Sequence, residues 1–170
     1  MKILYDLIYL EKERHGGISR MWTEYFKEIF RSNLKVSFLS KSQVSNTTQS
    51  YLKSVNYYNN MIIYESSYSS DFLMKISQLN FFRNILLMLK IPNNIDIFHS
   101  TGYANPLIKR NNLKIVTTIH DMVFWDQKSN MAKGVSYWDN VWGIQHSLRI
   151  SDRVVTVSNA SKKSIIKHFP

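Results

Sequence analysis

The strongest constraint in this sequence is an alternation that runs along the chain. Runs rich in Ile, Val, Thr, Tyr and Phe take turns with stretches whose apolar residues recur every three or four positions. Consecutive parallel strands need a long crossover, usually a helix, and the helices then cover the sheet on both faces. The expected fold class is therefore α/β, a Rossmann-like parallel sheet with helices on both faces, formed by one domain over residues 1–170.

The first strand is expected over residues 2–9. A glycine turn follows, and then a helix over 18–30, where Ile18, Met21, Trp22, Tyr25, Phe26, Ile29 and Phe30 share one face. Residues 34–39 alternate apolar and polar as a second strand. Residues 40–58, dominated by Ser, Asn, Thr, Gln and Tyr, read as a surface excursion, with a short strand over 61–64 after it. Asp71 is the expected N-cap of a helix running to Lys90, ended by Ile91-Pro92. Residues 95–99 and 114–119 read as strands, 135–150 as a helix and 152–157 as a strand. Ser158 or Asn159 then caps a last helix.

Composition narrows the function. The absence of cysteine excludes a disulfide scaffold and thiolate metal sites. No leader with a small-residue cleavage site is legible, because Asp6 interrupts the first apolar run. The apolar stretch around 81–89 is too short to cross a bilayer, which takes about 20 residues. A soluble or peripheral protein is expected, cytoplasmic or at the inner face of the cytoplasmic membrane. Net charge is +10, from 22 basic and 12 acidic residues. Two readings of it stay open: attraction to an anionic membrane or phosphate-linked substrate, or simply a lysine-rich composition. No Lys/Arg run interleaved with aromatics points to nucleic acid.

Ligands of such sheets gather beyond the C-terminal ends of the strands. After the first strand come His15-Gly16-Gly17-Ile18-Ser19-Arg20, where glycines opening a helix suit close approach and phosphate. A tight turn without a ligand is the other reading. The dinucleotide fingerprint and the phosphate loop of nucleotide triphosphatases are both absent. After the 95–99 strand, His99 to Tyr103 offer polar and aromatic groups for a hydroxylated ligand. After the 114–119 strand come His120 and Asp121, readable as a general-base or hydroxyl-orienting pair. Adjacent strand residues face opposite sides and no other cluster supports them, so no metal site is expected. A structural histidine is the alternative. Trp125, Tyr137, Trp138 and Trp142 suit a sugar, a membrane or the core.

Taken together, the glycine turn 16–20, the strand pair ending Asp96-Ile97-Phe98-His99 and Thr117-Thr118-Ile119-His120-Asp121, and the passage Ser151-Asp152-Arg153-Val154-Val155-Thr156-Val157-Ser158-Asn159-Ala160-Ser161 resemble the N-terminal domain of a GT-B glycosyltransferase of family 4, a retaining family. The resemblance implies transfer of a sugar from a nucleotide-sugar donor to a glycan or lipid-linked acceptor, in bacterial surface polysaccharide synthesis, with no cofactor and no metal. It places Gly16 and Gly17 at the donor diphosphate and His120, with Asp121 beside it, at the transferred sugar or the acceptor hydroxyl. His15, Arg20, His99 and Tyr103 would serve acceptor contacts. Similar enzymes hold the nucleotide in a second domain bearing two glutamates, which has no counterpart here. The expectation is a truncated enzyme or one chain of a split one, inactive alone because donor and acceptor must share one cleft. A non-catalytic binding or anchoring module of the same fold is the main alternative. A self-contained flavodoxin-like or phosphosugar-binding enzyme is a weaker one.

Overall fold

A computed structural model describes residues 1–7, 16–32, 34, 36–40, 63–65, 79–127 and 134–170. The expectations for residues 8–15, for the 41–58 excursion and for the helix start at Asp71 lie outside these. The described chain forms β1 (Ile3–Asp6), α1 (Gly17–Arg31), β2 (Val36–Ser40), β3 (Ile63–Glu65), α2 (Asn80–Lys90), β4 (Ile97–Ser100), β5 (Lys114–Ile119), α3 (Val123–Asp126), α4 (Val135–Ile150), β6 (Arg153–Thr156) and α5 (Asn159–His168). The one-turn α3 was not anticipated: four residues are too few to show a helical period.

The strands form one parallel sheet in the order β3-β2-β1-β4-β5-β6. Its register runs Val36↔Ile3↔Ile97↔Lys114, so four strands begin nearly level. Alternation along β1 divides the core. Ile3, Tyr5 and Leu7 face α1 and pack against Trp22, Phe26, Ile29 and Phe30. Those four recur at helical spacing, and burying each stabilises the fold by roughly 1.5–3 kcal/mol. Leu4 faces the other way, with Phe98, Ile115 and Leu39, against Leu87 of α2 and Ile150 of α4. Helices therefore cover both faces, as the alternation in the sequence requires.

On that second face α2 and α4 approach closely. A Cβ added at Gly143 would lie 2.8 Å from Asn80 Nδ2 and 3.2 Å from the Tyr103 carbonyl oxygen. The Asp139 carboxylate of α4 accepts from the first backbone N–H of α2, at Asn80, at 2.9 and 3.0 Å. An acid at a helix N-terminus is favourable both as a cap and against the helix dipole.

Two carboxylates fasten the beginnings of the strands. Asp96 accepts from the Lys2 backbone N–H at 2.6 Å. Asp152 accepts from the Ile115 N–H at 2.8 Å and from Lys109 Nζ at 2.6 Å. The Lys109 ammonium and that N–H hold the Asp152 carboxyl at a pKa of about 2, below its ordinary 3.8.

Candidate active site

Strand order reverses between β1 and β4, and the polar groups of the described chain meet at the C-terminal ends of these strands and of β5. Asp6 ends β1 on the α2 side and is fully buried, as is nearly all of Arg83, whose Nη2 donates to it at 2.5 Å. Removing one partner of such a pair typically costs about 3–5 kcal/mol, since a buried charge is left behind. The Asp6 backbone carbonyl accepts from the Thr101 hydroxyl at 2.7 Å. The Thr101 carbonyl oxygen lies 2.8 Å from His120 Nε2.

That last contact places a proton on Nε2, because a carbonyl oxygen can only accept. Trp22 Nε1 stands 3.4 Å from the same nitrogen. Because Nε2 is already a donor, the indole contact is packing of α1 against the ring, with the ring centroids 6.3 Å apart. His120 is buried and continues the α1 side of β5, the face of Val116 and Thr118.

Trp22 lies about one and a half turns into α1, so the imidazole packs against the N-terminal half of that helix. Its N-cap is Gly16, which has no side chain to offer, and no acidic residue occupies the first turn. Gly16 is extended, with φ −87° and ψ 166°, and Gly17 has no positive φ either. Neither glycine is therefore there to serve left-handed backbone. Among the described residues, nothing lies within 4 Å of where a Cβ of Gly17 would stand. Ser19 Oγ donates to the Gly16 carbonyl at 2.8 Å and fixes the entry.

The other anticipated residues are distributed unevenly. Arg20 is exposed on α1. His15 lies outside the described residues. Asp121 is partly exposed, and its carboxylate accepts from the Val123 N–H at 3.2 Å, bracing the turn into α3. His99 is in the core: its ring stands 5.0 Å from Tyr5, and Nε2 is 2.9 Å from Thr118 Oγ1. Burial pushes its pKa down to about 4, so the ring is neutral. Tyr103 is buried with Ile119, Met122 and Ile144. Among the aromatics, Tyr137 is buried and Trp125 packs on Phe169 at 4.8 Å. Trp142 stacks on His146 at 5.1 Å. Trp138 is half exposed and lines an open apolar groove of about 600 Å³ with Phe81 and Val135.

The passage 151–161 now has a physical reading. Ser151 Oγ donates to the Ser147 carbonyl at 2.6 Å and Asp152 closes the start of β6 onto β5. Ser158 Oγ accepts from the Ser161 N–H at 3.1 Å and caps α5, as expected. Ser161 Oγ donates to the His120 backbone carbonyl at 3.0 Å.

Sequence reading did not find Arg83, Thr101 or Ser161 as neighbours of His120 and Asp6. For Arg83 there was a signal: an acid ending an apolar strand must find a cation or donors once buried. The partner lies 77 residues away and leaves no local pattern. Among the described residues no three His, Asp or Glu side chains gather as a metal would require, and no helix is long and apolar enough to cross a membrane.

An open parallel sheet of order 3-2-1-4-5-6, with polar groups at its switch point, defines a Rossmann-like α/β domain of the kind that binds ligands beyond its strand ends. The family model for Glycosyltransferase Family 4 matches residues 15–170, and the chain belongs to that family. Its role is accordingly that of a glycosyltransferase, with a sugar donor and an acceptor as substrates. No curated protein and no solved structure gives a significant match.

Proposed function

We propose that this chain is the N-terminal, acceptor-side part of a retaining glycosyltransferase that moves a sugar from a nucleotide-sugar donor to a glycan or lipid-linked acceptor. The observation that carries the reading is the adjacency of two groups. The start of α1, which no side chain among the described residues caps, and the imidazole of His120 lie at the C-terminal ends of the strands, joined through Trp22. A helix N-terminus suits the diphosphate of a donor and stabilises the charge that grows on it as the sugar departs. An imidazole whose Nε2 proton is held by a backbone carbonyl suits a hydroxyl of the transferred sugar or of the acceptor. The base and ribose of the donor are then held by residues of a second domain, in a longer protein or in a partner chain. Asp121, whose carboxylate braces the turn after His120, supports that residue from the side.

The family resemblance favours bacterial surface polysaccharide synthesis as the setting. A peripheral contact with an anionic membrane is supported by the net charge of +10 and by the exposed Phe81, Val135 and Trp138 around the apolar groove.

The test is substitution of His120 by alanine in the complete enzyme. Turnover is expected to fall by a factor on the order of a hundred or more, as for loss of a positioned acid–base group, with the unfolding transition retained. Wild-type turnover in a folded variant would exclude the assignment and favour the non-catalytic module.

A further inference from the structure

Ser158 and Ser161 close the passage that most resembles the family, yet sugar transfer as proposed uses neither hydroxyl. Capping explains Ser158, whose Oγ accepts the Ser161 N–H. It does not explain Ser161, whose side chain is buried and points its proton at the carbonyl oxygen of His120, 3.0 Å away. The two hydroxyl oxygens lie 3.0 Å apart. Because the single proton of Ser161 goes to His120, the Ser158 hydroxyl must donate to Ser161. The order of donation is thus Ser158 to Ser161 to the peptide of His120.

His120 is approached from the other side as well. Its ring donates to the Thr101 carbonyl at 2.8 Å, and Thr101 is itself tied to β1 through the Asp6 carbonyl at 2.7 Å. Two elements therefore grip one residue at opposite ends: α5 holds the backbone, and the end of β4 holds the ring. His120 follows Ile119, the last residue of β5, whose register partner is Thr156. Past that point the sheet ladder no longer fixes the backbone, and a side-chain donor is what can.

We infer that Ser161 is a positioning residue for His120: by holding the His120 carbonyl it sets where the imidazole stands over the strand ends, while Thr101 holds its Nε2 proton. This inference rests on the reading of His120 given above. Displacing a catalytic group by about 1 Å is enough to cost on the order of a hundredfold in rate, so a buried hydroxyl that touches no substrate can govern turnover.

The same helix supplies a comparison. Ser164 Oγ donates to the Asp126 carboxylate at 2.7 and 2.8 Å, tying α5 to α3 on the exposed side, away from His120. In the complete enzyme, Ser161→Ala is expected to lower kcat roughly tenfold or more with KM for both substrates unchanged, and to move the acid limb of the pH profile of kcat/KM. Ser161→Thr, which keeps the hydroxyl, restores both. Ser164→Ala is expected to lower the melting temperature comparably and to leave kcat and the pH profile as in the wild type. A Ser161→Ala enzyme that loses no more activity than Ser164→Ala overturns the inference, because the bond then only ties a helix down. Measuring His120→Ala alongside separates the causes. Collapse in His120→Ala with normal Ser161→Ala removes this inference alone, whereas normal turnover in His120→Ala removes the functional reading and this inference with it.

Discussion

Nothing among the described residues requires a glycine at position 17. Its backbone is not left-handed, and an added Cβ would meet none of their atoms within 4 Å. Alanine is more favourable than glycine in a helix by up to about 1 kcal/mol, so folding alone would tolerate or prefer it. If a donor diphosphate seats against the start of α1, the methyl group occupies the space the phosphate needs. Gly17→Ala in the complete enzyme is therefore expected to keep or raise the melting temperature while the KM for donor rises and kcat/KM falls. Unchanged kinetics would move the phosphate elsewhere. At this scale the sequence exposed the residue types at the strand ends and hid their pairings. His99 and His120 look alike as histidines ending β-rich runs. One is a core residue beside Tyr5 and Thr118, and the other sits at the rim. The difference is two positions relative to the strand end, within the error of any boundary read from propensity.

Elements were legible where their period was long. The 15 residues of α1 and the 16 of α4 declared themselves through apolar spacing or length, and 114–119 through its β-branched run. The four residues of α3 did not. The contact between α2 and α4 was likewise hidden, because it depends on a missing side chain. A methyl group at Gly143 would stand 2.8 Å from the Asn80 amide and 3.2 Å from a backbone carbonyl that cannot move aside cheaply. Gly143→Ala is expected to destabilise the fold by roughly 1–3 kcal/mol through overpacking, partly offset by its helix propensity, as read from denaturant midpoints at constant slope. A neutral or stabilising result would mean that the two helices can part at no cost.

At the scale of the whole molecule, the fold class followed from alternation and the site from topology, because a parallel sheet puts the strand ends on one rim whatever the side chains are. The molecule's response to acid follows from burial. His99 has its pKa lowered from 6.5 to about 4 by desolvation. The unfolded chain therefore binds a proton below pH 6.5 that the folded chain refuses until about pH 4. Stability is expected to be flat above pH 6.5 and to fall by about 3 kcal/mol on the way down to pH 4, at about 1.4 kcal/mol per unit. The half-buried His146, also lowered mainly by desolvation, adds in the same direction. The opposite kind of group, Asp152, contributes its stabilisation above its ordinary 3.8 and loses it only as pH falls towards 2, a separate and lower step. His99→Gln should flatten the first step in a pH series of unfolding free energies. A slope that persists in that variant would assign it to another group.

Asp96 and Asp152 stitch the strand beginnings together, while His120, Gly17 and Ser161 stand at the opposite end of the same sheet. The molecule is in this respect a handle with a tool head. The grip is secured by its own fastenings, and the head can be reshaped without loosening them. An engineer who randomises the turns after β1, β4 and β5 therefore begins with the handle already made.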